Sequence, residues 1–357
     1  MLMNQRVIQS AHIYVLLIMS TGFMVHVILL PSILTSSGRD SWLSVIASTV
    51  PFIMWILLIF YIYKKFKNND IFSLFIKLPK WLSFGISFLF GIYFFTTAFI
   101  TLKFTVFWAK ANYTLDVPNF VVVFLFSFTC FYASYKGIRT ISTLALAILP
   151  LVTMFGFLVG IGNMNNKNYN LLFPIFENGF VGFFQGIIYT CSGLFEIIFL
   201  LFLTPYLKDR LKAKWLIFVG FILVALSLGP LMGAITEFGS VEATKLKNPA
   251  YEQWKLLILG VHITRLDFLS IFQWLSGAFI RISINMFIMN KLFSPVKKKN
   301  WVLPILYLLL MIGVLIQWNA TSFYFFLHHT YFPVRTVFLC LTPVLFLILI
   351  RIKGDAS

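Results

Sequence analysis

The sequence predicts an all-α integral membrane protein of ten transmembrane helices, built as two five-helix blocks of opposite orientation. Three observations predict it. Hydrophobic residues make up 60% of the 357 and charged residues only 11%, with a mean hydropathy of +0.92; a soluble globular domain carries about a quarter charged residues. The apolar residues fall in runs near the length that crosses a bilayer, about 20 residues for roughly 30 Å of hydrocarbon. Lys and Arg residues collect between alternate runs. The chain reads as a single polytopic domain over 1–357, with a first repeat at 1–162, a second at 178–352, and an outer loop at 238–267.

Span one, residues 13–34, follows Arg6 and lacks a small-residue cleavage site, so it is read as retained. Its centre carries Ser20, Thr21, Gly22 and His26. Span two, 42–63, is followed by Lys64, Lys65, Lys67, Lys77 and Lys80, with only Asp70 against them. Span three, 81–102, places Tyr93, Thr96, Thr97 and Thr101 near one side; span four is 117–133, followed by Lys136 and Arg139. Span five, 141–161, carries a Gly156–Gly160 pair spaced for a close helix crossing, and a polar run, 163–170, leads to span six.

Span six, 180–203, contains one charge, Glu196, and ends before Pro205 and a basic cluster of Lys208, Arg210, Lys212 and Lys214. Span seven is 215–235. Span eight, 268–289, contains Arg281 and is followed by Lys291, Lys297, Lys298 and Lys299. Span nine is 301–317, and span ten, 336–350, is short and flanked by Arg335 and Arg351, whose long side chains can reach outward to lengthen it.

With this segmentation, 18 of the 28 Lys and Arg residues lie on the side of the amino terminus and 9 on the other. The excess of basic residues marks the cytoplasmic face, so both termini are expected inside. That distribution accounts for the net charge of +17 without nucleic acid, for which no aromatic-interleaved basic motif is present. The 43 Phe and 9 Trp suit lipid-facing helices with aromatic belts. Cys130, Cys191 and Cys340 lie in apolar runs without metal-ligand spacing, and His328 and His329, placed in an outer loop, have no acidic or cysteine neighbours. No metal, cofactor or catalytic motif emerges, so an enzyme is not expected.

In the outer segment, Tyr251, Trp254, Leu257, Ile258 and Val261 recur at helical spacing opposite Glu252, Gln253 and Lys255. The pattern predicts an amphipathic helix on the outer interface, able to cap a site or simply to shield the bundle.

The chemistry is expected at the bilayer midplane. Five is odd, so the second block enters the membrane from the side opposite to the first, the geometry of an inverted repeat. Spans one and six, which open the two blocks, hold the small-polar interruptions Ser20-Thr21-Gly22 and Ser192-Gly193 and reach Pro31 and Pro205. Matching discontinuous helices are the sequence pointer to a transporter-type site, where half-helix ends serve an anionic group and freed carbonyls a cation. The structural alternative for the glycines of span six is a close crossing through Gly182 and Gly186.

Glu196 and Arg281 are the two buried charges. A charge inside a span turns away from lipid toward a cavity or partner. On span eight, Gln273, Gly277, Arg281 and Asn285 step by four along one stripe. At 1.5 Å per residue Arg281 and Glu196 lie about 12 and 10 Å from their cytoplasmic ends, so the two are expected to pair or to share a cavity. The alternative for Arg281 is an inward-reaching side chain that only orients its helix.

The STG of span one, the segment LLPSIL-x-x-x-GRDSWLS at 29–44, the GLFE of span six and the run NPAYEQWKLLILGVHITRLDFLSIFQWLSGAFIRIS at 248–283 resemble the B subunits of spore germinant receptors. These form a branch of the amino acid-polyamine-organocation (APC) superfamily. The resemblance implies the LeuT-like five-plus-five fold with helices one and six discontinuous, and residence as a multi-pass protein in the inner membrane of the endospore. It also implies partnership with a membrane A subunit and a lipoprotein C subunit, and sensing of a small germinant, an amino acid or a nucleoside. By position it implies a site at Thr21, Gly22, Gly193, Glu196, Ser276 and Gly277. Leu194 and Arg281 stand where the family more often carries aromatic and lysine residues. Candidate ligand-binding residues are thus Ser20, Thr21, Gly22, Tyr93, Thr97, Ser192, Gly193, Ser276 and Gly277, beside the charges Glu196 and Arg281. The competing reading is a proton-coupled amino acid permease working through Glu196.

Overall fold

The computed structural model describes residues 6–66, 71–177, 179–258, 260, 263, 265–293 and 301–354, and its described residues form helices with no strand. Lys67, Asp70, Val261 and Lys297 to Lys299 lie outside the described residues. Nine helical stretches among the described residues are long and apolar enough to cross a bilayer, and one further apolar helix is shorter.

The first span is α1 (Ser10–Phe23), a π-helical turn (Met24–Ile28) and α2 (Leu30–Ser37). Pro31 sits in the first turn of α2, where its missing N–H costs no hydrogen bond. Gly38, at φ 53°, ends α2, because only glycine takes that backbone without strain. The chain then continues as α3 (Ser41–Ala47), α4 (Thr49–Lys65), α5 (Ile71–Lys77), α6 (Lys80–Asn112), α7 (Asn119–Lys136) and α8 (Ile138–Gly162). The second half contains α9 (Phe180–Leu194), a 3-10 segment (Phe195–Phe202), α10 (Ala213–Phe238), α11 (Ser240–Ala243), α12 (Pro249–Leu256) and α13 (Leu269–Phe293). It closes with α14 (Val302–Leu315), α15 (Ala320–Phe326), a second π turn (Leu327–Tyr331) and α16 (Phe332–Gly354).

Two pairs of helices organise the bundle. Spans one and six run antiparallel along their whole length: Ser10 N donates to Asp209 Oδ1 (2.6 Å) at one end, Gly193 packs on Val25 and Leu29 midway, and Ser37 Oγ donates to Gly182 O (2.7 Å) at the other. The crossing is close because Gly182 and Gly186 have no Cβ; one at Gly182 would sit 2.8 Å from Ser36 O, and one at Gly186 would overlap the Ser37 and Ser44 hydroxyls. Helices α6 and α13 are also antiparallel, since Gly91 faces Phe293, Thr101 faces Arg281, and Trp108 stacks on Trp274 at 4.2 Å.

Several boundaries differ from those expected. The third span ends not at 102 but at Asn112, and Lys103, expected as an outer flank, is buried; its Nζ donates to Val314 O (2.7 Å) and Ile316 O (2.8 Å). That ammonium caps the carbonyl end of α14, only 14 residues long, which is the short span here. The expected tenth span, 336–350, is part of one 32-residue helical run, Ala320–Arg351, so His328 and His329 lie on a helix rather than in a loop. Residues 320–334 are more polar than 336–350 but bring Phe323, Tyr324, Phe325, Phe326, Tyr331 and Phe332, aromatic surface on which the helix continues past the expected start.

The amphipathic helix is short, Pro249–Leu256, and is tucked against α10. Tyr251 and Trp254 are buried as expected, but so is Gln253, whose Nε2 donates to Pro230 O (2.7 Å) while its carbonyl accepts from Asn163 Nδ2 (2.7 Å). Ile258 is exposed. Beyond it, Arg265 Nε donates to Asp267 Oδ1 (3.0 Å) and holds that carboxyl below the usual carboxylate range.

Candidate functional site

The site lies where the hydrogen-bond ladders of spans one and six change pitch, at adjoining positions along the antiparallel pair. Neither helix unwinds at the residues expected. Ser20, Thr21 and Gly22 stay α-helical, and the ladder opens one turn later into the π turn, with Leu29 N donating to Met24 O (3.0 Å). Ser192 and Gly193 also stay α-helical, and the ladder then tightens to 3-10 over Phe195–Phe202. A full break would leave polar groups bare in hydrocarbon, whereas a change of register keeps them bonded. A 3-10 run of 8 residues still exceeds the usual three or four and marks a strained or functional segment.

Neighbours take up the carbonyls that these changes disturb. Trp55 Nε1 donates to Phe195 O (3.1 Å), its ring stacked on Phe195 at 4.2 Å. Pro230 in α10 has no N–H to offer the Leu226 carbonyl four residues back. His26 Nδ1, from the π turn, donates to that carbonyl instead (2.9 Å).

Glu196 is the second residue of the 3-10 segment and is 1% exposed. Its carboxylate accepts from both terminal nitrogens of Arg281, Nη2 at 2.8 Å, so the two expected buried charges are paired and Arg281 does not reach toward the membrane surface. A second guanidinium, that of Arg335 on α16, also donates to Glu196. Arg281 spends its remaining donors on Ser20 O (Nη1, 2.8 Å) and Thr101 Oγ1 (Nε, 2.9 Å), and its own carbonyl accepts from Asn285 Nδ2 (2.7 Å). Arg335 lies 5.8 Å from the Tyr93 and Tyr331 ring centroids, and its Nη2 reaches Tyr93 OH at 3.4 Å. Arg335 Nε and Nη1 have no acceptor, and the buried hydroxyls of Ser20, Thr21 and Thr97 have no partner.

Among the described residues, then, two permanent cations share one carboxylate. Guanidinium does not deprotonate in proteins, so the surplus positive charge cannot be removed by titration. A charge at this depth costs about 2.5–3.5 kcal/mol even on insertion scales.

Aromatic stacks bracket the cluster along α6. On the side of Phe90, that ring packs with Phe202 (5.0 Å), Phe338 (5.6 Å) and Phe346 (5.5 Å). On the side of Phe104 and Trp108, both rings stack on Trp274, at 5.9 and 4.2 Å, and Phe23 meets the edge of Trp274. The charges therefore sit between two aromatic layers along α6.

The remaining candidates divide into those near the charges and those that pack helices. Ser20, Tyr93 and Thr97 lie by the cluster, Thr97 through its carbonyl, which accepts from Thr101 Oγ1 (2.7 Å). Thr21 is buried beside Ser20. Ser192 Oγ donates to Phe332 O (3.3 Å). Gly193 and Gly277 are filled contacts: a Cβ would sit 2.7 Å from Leu29 and 2.6 Å from Phe23, respectively. At Gly22 the nearest atom, of Leu226, would be 3.1 Å away. Ser276 is buried on the same helix as Arg281.

Sequence reasoning missed Arg335, which it took for a flank. The signal was there: a 15-residue span is too short for the bilayer, and extending it backward over apolar residues takes Arg335 inside.

A family profile described as "Spore germination protein" matches residues 9–322. The chain is also 35% identical over 346 residues to "Spore germination protein XB" of Bacillus anthracis, covering 96% of this chain and 97% of that protein. With a profile match over most of its length and a full-length relative, this multi-pass helical membrane protein belongs to the spore germination protein family.

Proposed function

We propose that the protein is a membrane subunit of a spore germinant receptor, binding an amino acid or nucleoside germinant in a midplane site and triggering germination. The observation that carries this reading is the buried cluster of Glu196, Arg281 and Arg335, which joins the 3-10 segment of span six to the Ser20 carbonyl of span one, one turn before the π turn. Departures from α pitch in the first helix of each block, beside buried polar groups, support a transporter-type site.

We read the scaffold as the five-plus-five inverted repeat of the LeuT-like fold. In its support, the first helices of the two blocks pack antiparallel on each other, and so do α6 and α13, the third of each. A two-fold axis in the membrane plane makes corresponding helices antiparallel, and pairs that lie close to the axis meet in this way. Within this reading both termini are cytoplasmic, the protein resides in the inner membrane of the endospore, and a membrane A subunit and a lipoprotein C subunit are its partners. Burial of Lys103 and Arg335 removes two cations from the outer face and sharpens the basic bias that supports the orientation.

The alternative, proton coupling through Glu196, is disfavoured because two guanidiniums engage that carboxylate and a proton carried there would have to displace one. The test is a deletion strain. Its spores are expected to lose the response to a specific germinant, while vesicles containing this subunit alone take up no labelled amino acid. Uptake without a germination defect would establish the permease instead.

A further inference from the structure

We infer that the cluster around Arg335 is a site for the carboxylate group of a small ligand, and that this ligand is the missing counter-charge of the Glu196–Arg281–Arg335 triad. The inference rests on the ligand-binding reading of the same site and narrows it, favouring a carboxylate-bearing germinant over a nucleoside.

Three independent observations converge. The first is charge: two guanidiniums that cannot titrate face one carboxylate, all 3% exposed or less, and no other acidic residue contacts them among the described residues. The second is hydrogen bonding. Arg281 has an acceptor for each of its three nitrogens, whereas Arg335 keeps Nε and Nη1 unpartnered. Buried donors are nearly always satisfied, so an unpaired guanidinium edge marks a place for an acceptor. The third is composition. The unpartnered hydroxyls of Ser20, Thr21 and Thr97 belong to residues at or next to the contacts of Arg281, and hydroxyls can both donate to an anion and accept from an ammonium.

A carboxylate fits this surrounding better than a phosphate. One negative charge makes the cluster neutral, whereas a phosphate, with a charge of about −1.5 to −2, would carry it past neutrality. The guanidinium carbon lies 5.8 Å from the Tyr93 and Tyr331 ring centroids, while Nε and Nη1 stay unpartnered.

The test uses the purified full-length protein in lipid nanodiscs at neutral pH. Acetate and glycine serve as carboxylate probes, acetamide as the uncharged isostere of acetate, and chloride as a simple anion. The midpoint of thermal unfolding is expected to rise saturably with acetate or glycine and not with acetamide, and equilibrium dialysis should show labelled acetate bound to the wild type. In Arg335→Gln both effects should vanish, while Arg335→Lys should retain a weakened response. Stabilisation by chloride alone, an equal effect of acetamide, indifference to every probe, or an undiminished response in Arg335→Gln would each overturn the assignment. Should Arg335→Gln fail to fold, the acetate and acetamide comparison on the wild type decides. Failure here is separable from failure of the receptor reading: a deletion strain that loses a germinant response while the protein ignores acetate overturns only the carboxylate site. Unaltered germination overturns the receptor reading whether or not acetate binds.

Discussion

Arg281 and Arg335 reach the same carboxylate from different helices, but one is complete and the other is half spare. Arg281 comes from an unbroken α-helix and ends in a socket of fixed acceptors, Glu196, Ser20 O and Thr101 Oγ1. Arg335 comes from the turn after a π segment, held between tyrosine rings with two nitrogens unpaired. The difference shows which cation is structural. A buried charge with an acceptor at every nitrogen fixes a register, whereas one left partly open has its last partner still to come.

The comparison breaks first at their shared partner. Glu196→Gln leaves two guanidiniums facing each other in a site both share, and removing one member of a buried ion cluster typically costs about 3–5 kcal/mol. The expected outcome is a large loss of folded protein, read as thermal unfolding in detergent and as abundance in membranes. Adding Arg281→Gln to Glu196→Gln should be milder than Glu196→Gln alone, since it removes one of the stranded cations. A double variant no milder than the single would end the claim that Arg281 and Glu196 form an energetic pair.

Next in size is Thr101→Val, nearly isosteric, which strips the acceptor from Arg281 Nε and the donor from the Thr97 carbonyl. An unsatisfied buried donor costs about 1–3 kcal/mol. The expected result is a clear drop in unfolding midpoint with the spans intact. No drop would mean that Arg281 is as adaptable as Arg335, and the contrast between them would fail.

How much of this could be read from residues alone depends on the kind of signal. Apolar runs and basic loops gave the spans because the bilayer acts on composition, and the lone charges Glu196 and Arg281 stood out against it. Arg335 and Lys103 did not, because a cation near the end of an apolar run looks the same whether it flanks the bilayer or lies in it. Only the packed neighbours decide: a carbonyl end at α14 for Lys103, a carboxylate for Arg335. The changes of pitch were half legible. Small polar residues lie in the two helices that change pitch, but the turn that yields is set by tertiary donors, Trp55 to the Phe195 carbonyl and His26 to the Leu226 carbonyl that Pro230 leaves free. Those partners are distant in sequence, so no local pattern announces them.

The smallest expected effect sharpens the comparison from the side of Arg335. Tyr93→Phe removes a hydroxyl that Arg335 Nη2 reaches at 3.4 Å but keeps the ring against the guanidinium. The bond is long, so its loss should cost less than about 1 kcal/mol, at the low end for a net hydrogen bond. Stability should barely move. The same change frees one more N–H on Arg335 and so strengthens its demand for an acceptor, which makes the germinant response the more informative measurement. An unfolding midpoint within a degree or two of wild type, alongside a shifted germinant concentration dependence, would place Tyr93 with the ligand contacts. A large loss of stability would instead make Arg335 as tightly built in as Arg281.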